Sequence, residues 1–302
     1  MSLRLSLLFF SLIATTFLTG QHELFKAQDF NKDGEFTSGI EGPAADGNGL
    51  VYAVNYKEQG TIGYVNEDAE SGLFVHLPEN SIGNGIRINR AGNLYIADYT
   101  NHNVLEIDVK TKKITVHAHN DNMNQPNDLA ISSNGDLYLS DPNWKESTGN
   151  LWKVDTEGHV IQLESDMGTT NGIEVNPEEN RLYVNESVQR QVWVYDLNKD
   201  GNISNKRLFF AFDDFGLDGM RCDVAGNLYI TRHGKGTVAI LSPQGEMIQE
   251  VVLKGKQPTN IAFGGPDGKT CYVTMMDRGC FEVFRTNLPG REWAWRQGTT
   301  KN

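Results

Sequence analysis

The chain has 302 residues, of which 38% are hydrophobic and 22% are charged, with 31 Gly, 9 Pro and 3 Cys. This length and balance exclude an intrinsically disordered or collagen-like chain and leave room for one large folded domain. Because 39 acidic side chains outnumber 27 Lys and Arg, the formal net charge is −12, and the sequence has no basic cluster. Nucleic acids and anionic membranes are therefore not expected as partners.

The first 20 residues differ in kind from the rest. Arg4 precedes the stretch LSLLFFSLIATTFLTG, which is apolar and ends in small residues just before a polar segment. This pattern is typical of a signal peptide cleaved near Gly20, and an uncleaved anchor is the alternative. We expect residues 1–20 to direct export, and residues 21–302 to form a single periplasmic or secreted domain.

Six segments of the chain repeat one pattern, seen for example in NGIRINRAGNLYIADY and NDLAISSNGDLYLSDP. Each has a short alternating strand, a turn rich in Gly, Asn and Asp, and a second strand. Two further strands fit before the next segment, and four antiparallel strands at a period of 42 to 47 residues are typical of a β-propeller blade. The predicted fold is therefore an all-β, six-bladed β-propeller. The six segments begin at Glu41, Asn84, Asn127, Asn171, Asp218 and Asn260.

The two chain ends are predicted to share the last blade. The sixth repeat ends near Phe284 and leaves little chain for a fourth strand. The segment from Glu23 to Phe36 precedes the first repeat, and we expect it to supply that outer strand and so to remove exposed sheet edges.

The three cysteines are too few for a disulfide framework in a chain of this length. Buried free thiols are expected for Cys222, Cys271 and Cys280. A bridge between Cys271 and Cys280 across a tight hairpin is the alternative.

The residue that opens each repeat is predicted to lie on one ring around the propeller axis. All six members of this first ring carry a side-chain oxygen, and two of them are carboxylates, Glu41 and Asp218. Hard oxygen donors with this charge favour a hard divalent cation, Ca²⁺ before others. The alternative is that Asn-Gly simply recurs as a turn dipeptide.

A second ring is predicted fourteen or fifteen residues after the first, where the second strand returns to the same face. Acidic members near a cation are candidates for acid–base catalysis, Asp141 among them. Arg232, with His233 beside it, is a candidate for holding a substrate oxyanion or carboxylate. A solvated rim of paired charges is the alternative. The second ring consists of Asn55, Asp98, Asp141, Glu186, Arg232 and Met275.

The motifs GIEGP, QPND, TTNGIEV and LDGMRCDVAGNLYI resemble those of the gluconolactonase / senescence-marker-protein (regucalcin) / luciferin-regenerating-like family of six-bladed propellers, which includes diisopropyl-fluorophosphatase. The resemblance implies one catalytic divalent metal held by Glu41, Asn127, Asn171 and Asp218. Ca²⁺ is the expected ion, with Zn²⁺, Mg²⁺ or Mn²⁺ as alternatives.

The same resemblance implies a metal-dependent ester hydrolase that opens a small-molecule lactone. A monomer is expected. Asp218 is expected to act as general base or nucleophile, and Asp128 to orient the ligands from behind. Gln125 stands where gluconolactonases commonly have Arg, which disfavours aldonolactone sugars as substrates. The segment from Asn84 also resembles NHL repeats, so the alternative function is a non-catalytic propeller that binds a ligand or protein with a structural cation.

Overall fold

Each sequence repeat folds into one four-stranded antiparallel sheet in the computed structural model of the protein, which describes residues 23–298. The predicted signal peptide lies outside these residues. The first three blades contain β2 (Ala44–Ala45), β3 (Val51–Val54), β4 (Thr61–Val65), β5 (Ser71–His76), β6 (Gly83–Ile88), β7 (Leu94–Asp98), β8 (Asn103–Ile107), β9 (Ile114–His119), β10 (Leu129–Ile131), β11 (Leu137–Asn143), β12 (Thr148–Val154) and β13 (Val160–Met167).

The remaining three blades continue the same order, and the last one takes its outer strand from the N-terminal segment. They contain β14 (Thr170–Val175), β15 (Arg181–Glu186), β16 (Gln191–Leu197), β17 (Ile203–Ala211), β18 (Met220–Cys222), β19 (Leu228–Arg232), β20 (Thr237–Leu241), β21 (Met247–Val252), β22 (Pro258–Gly264), β23 (Thr270–Met275), β24 (Cys280–Arg285) and β1 (Gln28–Asp29).

The first strands of the blades surround the central axis. Each one contacts the first strand of the next blade, and the sixth, β22, returns to the first, β2. The six-bladed propeller predicted from the repeats is therefore confirmed.

Apolar side chains from neighbouring blades form the core. One cluster joins Tyr52 and Ile62 of the first blade to Ile86 and Leu105 of the second, and similar clusters fill the spaces between other neighbouring blades. Polar and exposed side chains are concentrated on outer strands such as β9 and β21. Burial between blades is therefore the main apolar stabilisation of the ring.

The chain ends close the ring as predicted. Gln28 and Asp29 of β1 pair antiparallel with Val283 and Glu282 of β24. The Asp29 carboxylate also accepts a hydrogen bond from Arg278 Nη1 at 2.7 Å. The outer edge of the sixth blade is thereby covered.

All three cysteines are free, buried thiols, as expected. Burial raises the pKa of the Cys222 and Cys271 thiols well above the ordinary value. No helix among residues 23–298 is both long and apolar enough to cross a bilayer.

A short helix that the sequence patterns did not indicate, α1 (Arg291–Arg296), closes one end of the central channel. Arg291 Nη1 donates to the carbonyl oxygen of Ile131 at 2.7 Å, and Glu292 accepts a hydrogen bond from the Ile88 backbone N–H. Ile131 and Ile88 are the last residues of two first strands. Because the first-ring residues lie at the opposite ends of these strands, α1 and the ring mark the two ends of the channel.

Candidate functional site

The first-ring residues meet in one cavity at the end of the channel opposite α1. This cavity has a volume of about 350 Å³. Asn260 lies beside it, with Nδ2 donating to Glu41 Oε2 at 3.0 Å. The structure thus brings side chains from six blades to one place. The ring residues that line the cavity are Glu41, Asn84, Asn127, Asn171 and Asp218.

β-Bulges aim the ring side chains into the cavity. In three blades the pairing of the first two strands skips a residue at the ring position; for instance, Gly83 pairs with Asp98 and Ile86 with Ile96. Elsewhere, the Asn127 N–H donates to the Ser140 carbonyl while the Ser140 N–H donates to the Asp128 carbonyl. Asn127 and Asp128 therefore lie opposite the single residue Ser140, which is the arrangement of a β-bulge.

The glycine that follows a ring residue allows the ring to be this narrow. A Cβ on Gly85 would lie 2.8 Å from the Asn127 carbonyl oxygen. A Cβ on Gly172 would overlap the Asp218 carbonyl oxygen. A Cβ on Gly219 would overlap the Asn260 side chain. In these blades, Asn-Gly and Asp-Gly are therefore packing requirements of the ring rather than mere turn dipeptides.

A substitution at Gly172 tests this explanation. Gly172→Ala should lower the free energy of unfolding by about 1–3 kcal/mol, because the added methyl displaces the Asp218 backbone. Urea denaturation measures the change. Gly216→Ala is the matched control, since its Cβ would meet its nearest neighbour, Ser187 Oγ, at an ordinary 3.5 Å. Equal stabilities of the two variants would contradict the packing role.

Hydrogen bonds to the backbone hold the ligand-bearing residues in place. The Asp218 carbonyl oxygen accepts a hydrogen bond from Asn185 Nδ2 at 2.6 Å, and the Asn127 carbonyl accepts bonds from Gly85 N at 2.8 Å and from Asn84 Nδ2 at 3.2 Å. These bonds occupy backbone groups and leave the ligand side chains available to the cavity.

Two amide oxygens in the site have no hydrogen-bond partner. Oδ1 of Asn127 and Oδ1 of Asn171 are both buried and unpaired. A buried polar atom without a partner costs about 1–3 kcal/mol, so such atoms call for a ligand. Carbonyl-type oxygens beside two carboxylates are donors that Ca²⁺ accepts.

The two carboxylates of the site repel each other. Burial, and then the charge of Asp128, raises the pKa of Glu41 to about 7. Burial, and then the charge of Glu41, raises the pKa of Asp218 well above its ordinary value. No Lys or Arg is among the residues that line the cavity. A bound divalent cation would offset this repulsion, so the residues present fit such an ion.

The composition of the ligand set is unusual in one respect. Within residues 23–298, no group of three or more His, Cys, Asp or Glu side chains is placed to hold a metal ion. The candidate site instead combines two carboxylates with amide oxygens, which suits a hard cation better than a soft one.

Asp128, which follows Asn127 in the chain, lies in a buried ion-pair network. Its Oδ1 accepts a hydrogen bond from Arg87 Nη1 at 3.1 Å and its Oδ2 accepts one from Arg221 Nη1 at 3.3 Å. Arg221 Nη1 also donates to Asn260 Oδ1, and Asn260 in turn donates to Glu41. The sequence analysis missed these two arginines. Their signal was a cation inside an otherwise apolar strand, in NGIRI and DGMRC.

The predicted second ring is out of register with the residues that line the cavity. Of its six members, only Asn55 lies in the cavity wall. Met275 belongs to an apolar cluster, and its neighbour Met276 lines the cavity instead. The bulge at the ring position adds one residue to the first strand. Because side chains of a strand alternate between its two faces, a shift of one residue in the pairing reverses which side chains of the second strand face the cavity. The cavity-lining residues near the expected positions are Asn55, Tyr99, Trp144, Ser187, His233 and Met276.

Asp141 and Arg232 contact neighbouring residues and do not line the cavity. Asp141 is fully buried and accepts hydrogen bonds from the backbone N–H of Asn124 at 2.8 Å and from Trp152 Nε1 at 2.8 Å. Arg232 pairs with Asp214 at 2.8 Å and stacks over the Phe212 ring at 3.8 Å. These contacts give both side chains structural partners, and their catalytic roles stay predictions that we do not carry further.

His233 is the histidine of the cavity wall. Burial lowers the pKa of its imidazole below the ordinary value of 6.5, opposed by the weaker effect of the Asp277 charge. The imidazole is therefore neutral near pH 7, where one ring nitrogen can accept a hydrogen bond and the other can donate one.

Comparison with known proteins shows the family of the chain. Residues 39–277 match the model of the SMP-30/Gluconolactonase/LRE-like region. The chain belongs to this family. The four predicted ligands all fall within the matched residues.

Individual relatives are similar at modest identity. A gluconolactonase from Zymomonas mobilis is 27% identical over an alignment of 215 residues, and the match covers 63% of this chain and 60% of that protein. The diisopropyl-fluorophosphatase of Loligo vulgaris is 25% identical over an alignment of 295 residues, and the match covers 87% of this chain and 94% of that protein. The matched part thus spans only about three-fifths of the gluconolactonase but nearly all of the fluorophosphatase.

The fold is shared with solved structures. A calcium-binding protein, regucalcin, from Agrobacterium tumefaciens has a TM-score of 0.73 at 20% identity, covering 89% of this chain and 94% of that one. This likeness concerns the fold alone.

Proposed function

We propose that the protein is a hydrolase that opens a lactone with the help of one divalent cation, Ca²⁺ in first place. One observation carries the proposal: the buried carboxylate of Glu41, the half-buried carboxylate of Asp218 and two unpaired amide oxygens, from four blades, face the same cavity. The named gluconolactonase relative supports the reaction class, and the calcium-binding regucalcin supports the choice of ion.

Glu41, Asn127, Asn171 and Asp218 would hold the cation. When bound, it supplies Lewis-acid chemistry at an ester carbonyl and lowers the cost of the charge that develops on the oxygen. The two carboxylates balance the charge of the ion. Asn260 holds Glu41 in place through its 3.0 Å hydrogen bond.

Asp218 is the proposed base. It takes a proton from water as the water oxygen bonds to the carbonyl carbon, and the proton then passes to the ring oxygen as the bond between carbonyl carbon and ring oxygen breaks. The product is one hydroxy acid, so atoms and charge balance. A direct attack of the Asp218 carboxylate on the carbonyl, followed by hydrolysis of the enzyme ester, is the alternative.

A panel of lactones and aryl esters tests the proposal. Hydrolysis should fall roughly a hundredfold on chelation, as expected for the loss of a Lewis acid worth several kcal/mol, and should recover when Ca²⁺ is added. The absence of turnover on every member of the panel, with or without Ca²⁺, would contradict the proposal and favour a binding propeller. Unchanged turnover in chelator would contradict the role of the cation.

Glu41→Gln separates cation binding from proton transfer. The variant loses one ligand charge but keeps its shape, so the Ca²⁺ concentration that gives half-maximal activity should rise about tenfold or more. Saturating Ca²⁺ should then restore most of kcat. Full activity of this variant in chelated buffer would contradict the mechanism.

We also propose that the protein is exported and that its mature form is a monomer. The apolar stretch after Arg4 supports the first point. Mass spectrometry of the protein recovered from the medium or periplasm should show cleavage near Gly20. A full-length chain retained in the cytoplasm would contradict export, and a dimer mass in light scattering would contradict the monomer.

A further inference from the structure

We propose that the cavity mouth selects uncharged lactones or esters that carry an apolar substituent, in preference to polyhydroxylated or anionic ones. This inference rests on the proposed function and names its substrate class. It follows from the wall of the cavity and from its rim, two separate parts of the structure.

The cavity wall has no group that would hold an anionic substituent. Its charged side chains are the two carboxylates, Glu41 and Asp218, and no Lys or Arg is in the wall. The cation expected from the sequence, Arg232, is directed to Asp214. A phosphate, sulfonate or carboxylate on the substrate would therefore have no protein cation to pair with.

Apolar and aromatic side chains make up part of the cavity wall. Ile82, Tyr99, Trp144 and Met276 line the cavity beside the polar ring residues. Trp144 lies in the turn between β11 and β12 and is 42% exposed, an uncommon state for an indole. It offers an apolar face next to the site of reaction.

The rim continues this apolar surface. Val188 follows the cavity-lining Ser187 and is 54% exposed, and Phe215 is 48% exposed. Phe215 lies against Gly234, next to His233 of the wall, and the neighbouring Gly216 N–H donates to the His233 carbonyl at 3.1 Å. Val188 and Phe215 are thus exposed apolar side chains next to residues of the cavity wall.

The backbone at Phe215 is strained in order to present this ring. Its φ is 47°, in the left-handed region that bulky residues rarely adopt. Strain of this kind persists where the surrounding structure enforces it, and it clusters at ligand sites. A strained, exposed Phe beside the cavity fits a contact with an apolar part of the substrate.

A series of alkyl-substituted δ-lactones of increasing chain length tests this inference, with glucono-δ-lactone as the polyhydroxylated comparison. We expect kcat/KM to rise up to about fourfold for each methylene that the rim covers. We expect the longest lactones of the series to exceed glucono-δ-lactone at least a hundredfold. A flat series, or preference for glucono-δ-lactone, would overturn the inference while leaving lactone hydrolysis itself intact.

Variants of Trp144 assign the selectivity to the rim. Trp144→Ala should flatten the chain-length dependence, whereas Trp144→Phe should keep most of it. Ile161→Ala is the matched control, because Ile161 is similarly exposed but lies on the outer strand β13. A chain-length dependence that is the same in Trp144→Ala as in the parent would overturn the assignment.

Binding distinguishes failure of this inference from failure of the proposed function. Alkyl δ-lactams are not readily hydrolysed, and their Kd can be measured by calorimetry whether or not any lactone is turned over. The inference predicts a Kd that falls with chain length in the parent and not in Trp144→Ala. A Kd independent of chain length in both would overturn it.

Discussion

Asp218→Asn should lower kcat/KM for a lactone about 10³-fold at saturating Ca²⁺, because the variant keeps an oxygen ligand but loses the base. Asp218 is half-buried, and its backbone is fixed by hydrogen bonds with Asn185 and Thr231. The isosteric amide should therefore disturb the fold little. Steady-state kinetics over a range of Ca²⁺ concentrations measure the effect.

Comparison with two other variants identifies the lost function. Glu41→Gln should recover at high Ca²⁺, and Asp218→Asn should not. Asp223→Asn is the structural control: Asp223 is a buried carboxylate of the same blade that accepts hydrogen bonds from the Ala225 and Asn227 N–H groups, which an amide oxygen can also accept. Recovery of Asp218→Asn by Ca²⁺ alone would reduce Asp218 to a metal ligand.

Arg291→Ala should lower the free energy of unfolding by about 3–5 kcal/mol, because it leaves the buried carboxylate of Glu174 without its cation. Arg291 is buried and pairs with Glu179 at 2.5 Å and with the buried Glu174 at 3.6 Å. It also donates to the Ile131 carbonyl. Urea denaturation followed by circular dichroism measures the loss.

The loss in Arg291→Ala should depend on pH. Burial raises the pKa of Glu174, and Arg291 is the strongest influence that lowers it. Without Arg291, the Glu174 carboxyl of the folded state keeps its proton, whereas in the unfolded state it loses that proton near its ordinary pKa. The free energy of unfolding therefore falls as the pH rises from the ordinary pKa of Glu174 through its raised pKa in the folded state. The loss should therefore be larger at pH 8 than at pH 5. The other charged groups that act on Glu174 are Arg87, Arg221 and Glu292.

A surface ion pair provides the control for Arg291. Arg207 and Asp196 are 2.7 Å apart, with both side chains nearly half exposed. Arg207→Ala should cost less than about 1 kcal/mol, because solvent screens the pair. Should Arg291→Ala fail to fold, Arg291→Lys retains the charge and should lose less stability. Equal stabilities of Arg291→Ala and Arg207→Ala would contradict the role of α1 in closing the channel.

The fold could be predicted from the sequence because each blade repeats its turn and strand pattern. Turns such as that at Gly92, with φ 91°, need a glycine, and the recurrence of such turns reveals the hairpins. The ring followed from the same repetition: residues that open equivalent blades occupy equivalent places. The N-terminal strand could be predicted because an incomplete blade would leave an exposed edge.

The second ring could not be placed from the sequence, because its phase depends on bulges that the sequence does not mark. In the pairing of β6 with β7, the distance from Gly83 to Ile86 along β6 is one residue longer than the matching distance from Asp98 to Ile96 along β7. Counting residues along the chain therefore predicts Asp98 in the cavity wall. In the structure, Asp98 accepts hydrogen bonds from Ser81 and Asn103, and its neighbour Tyr99 lines the cavity.

Contacts between distant segments were also invisible to a local pattern. The helix α1 has six residues and no repeating apolar face, and its position depends on Arg291 and Glu292 reaching the ends of β6 and β10. The rim residue Phe215 lies in the loop that ends the fourth repeat, whose length of 47 residues departs from the common period. Its backbone conformation is set by its tertiary surroundings.

Calorimetric titration of chelator-treated protein with Ca²⁺ measures directly whether the first-ring residues bind a cation. We expect one ion bound per chain, with affinity at least about tenfold weaker in Glu41→Gln and unchanged in Asp223→Asn. Equal binding by the parent and Glu41→Gln, or no binding by either, would contradict this expectation.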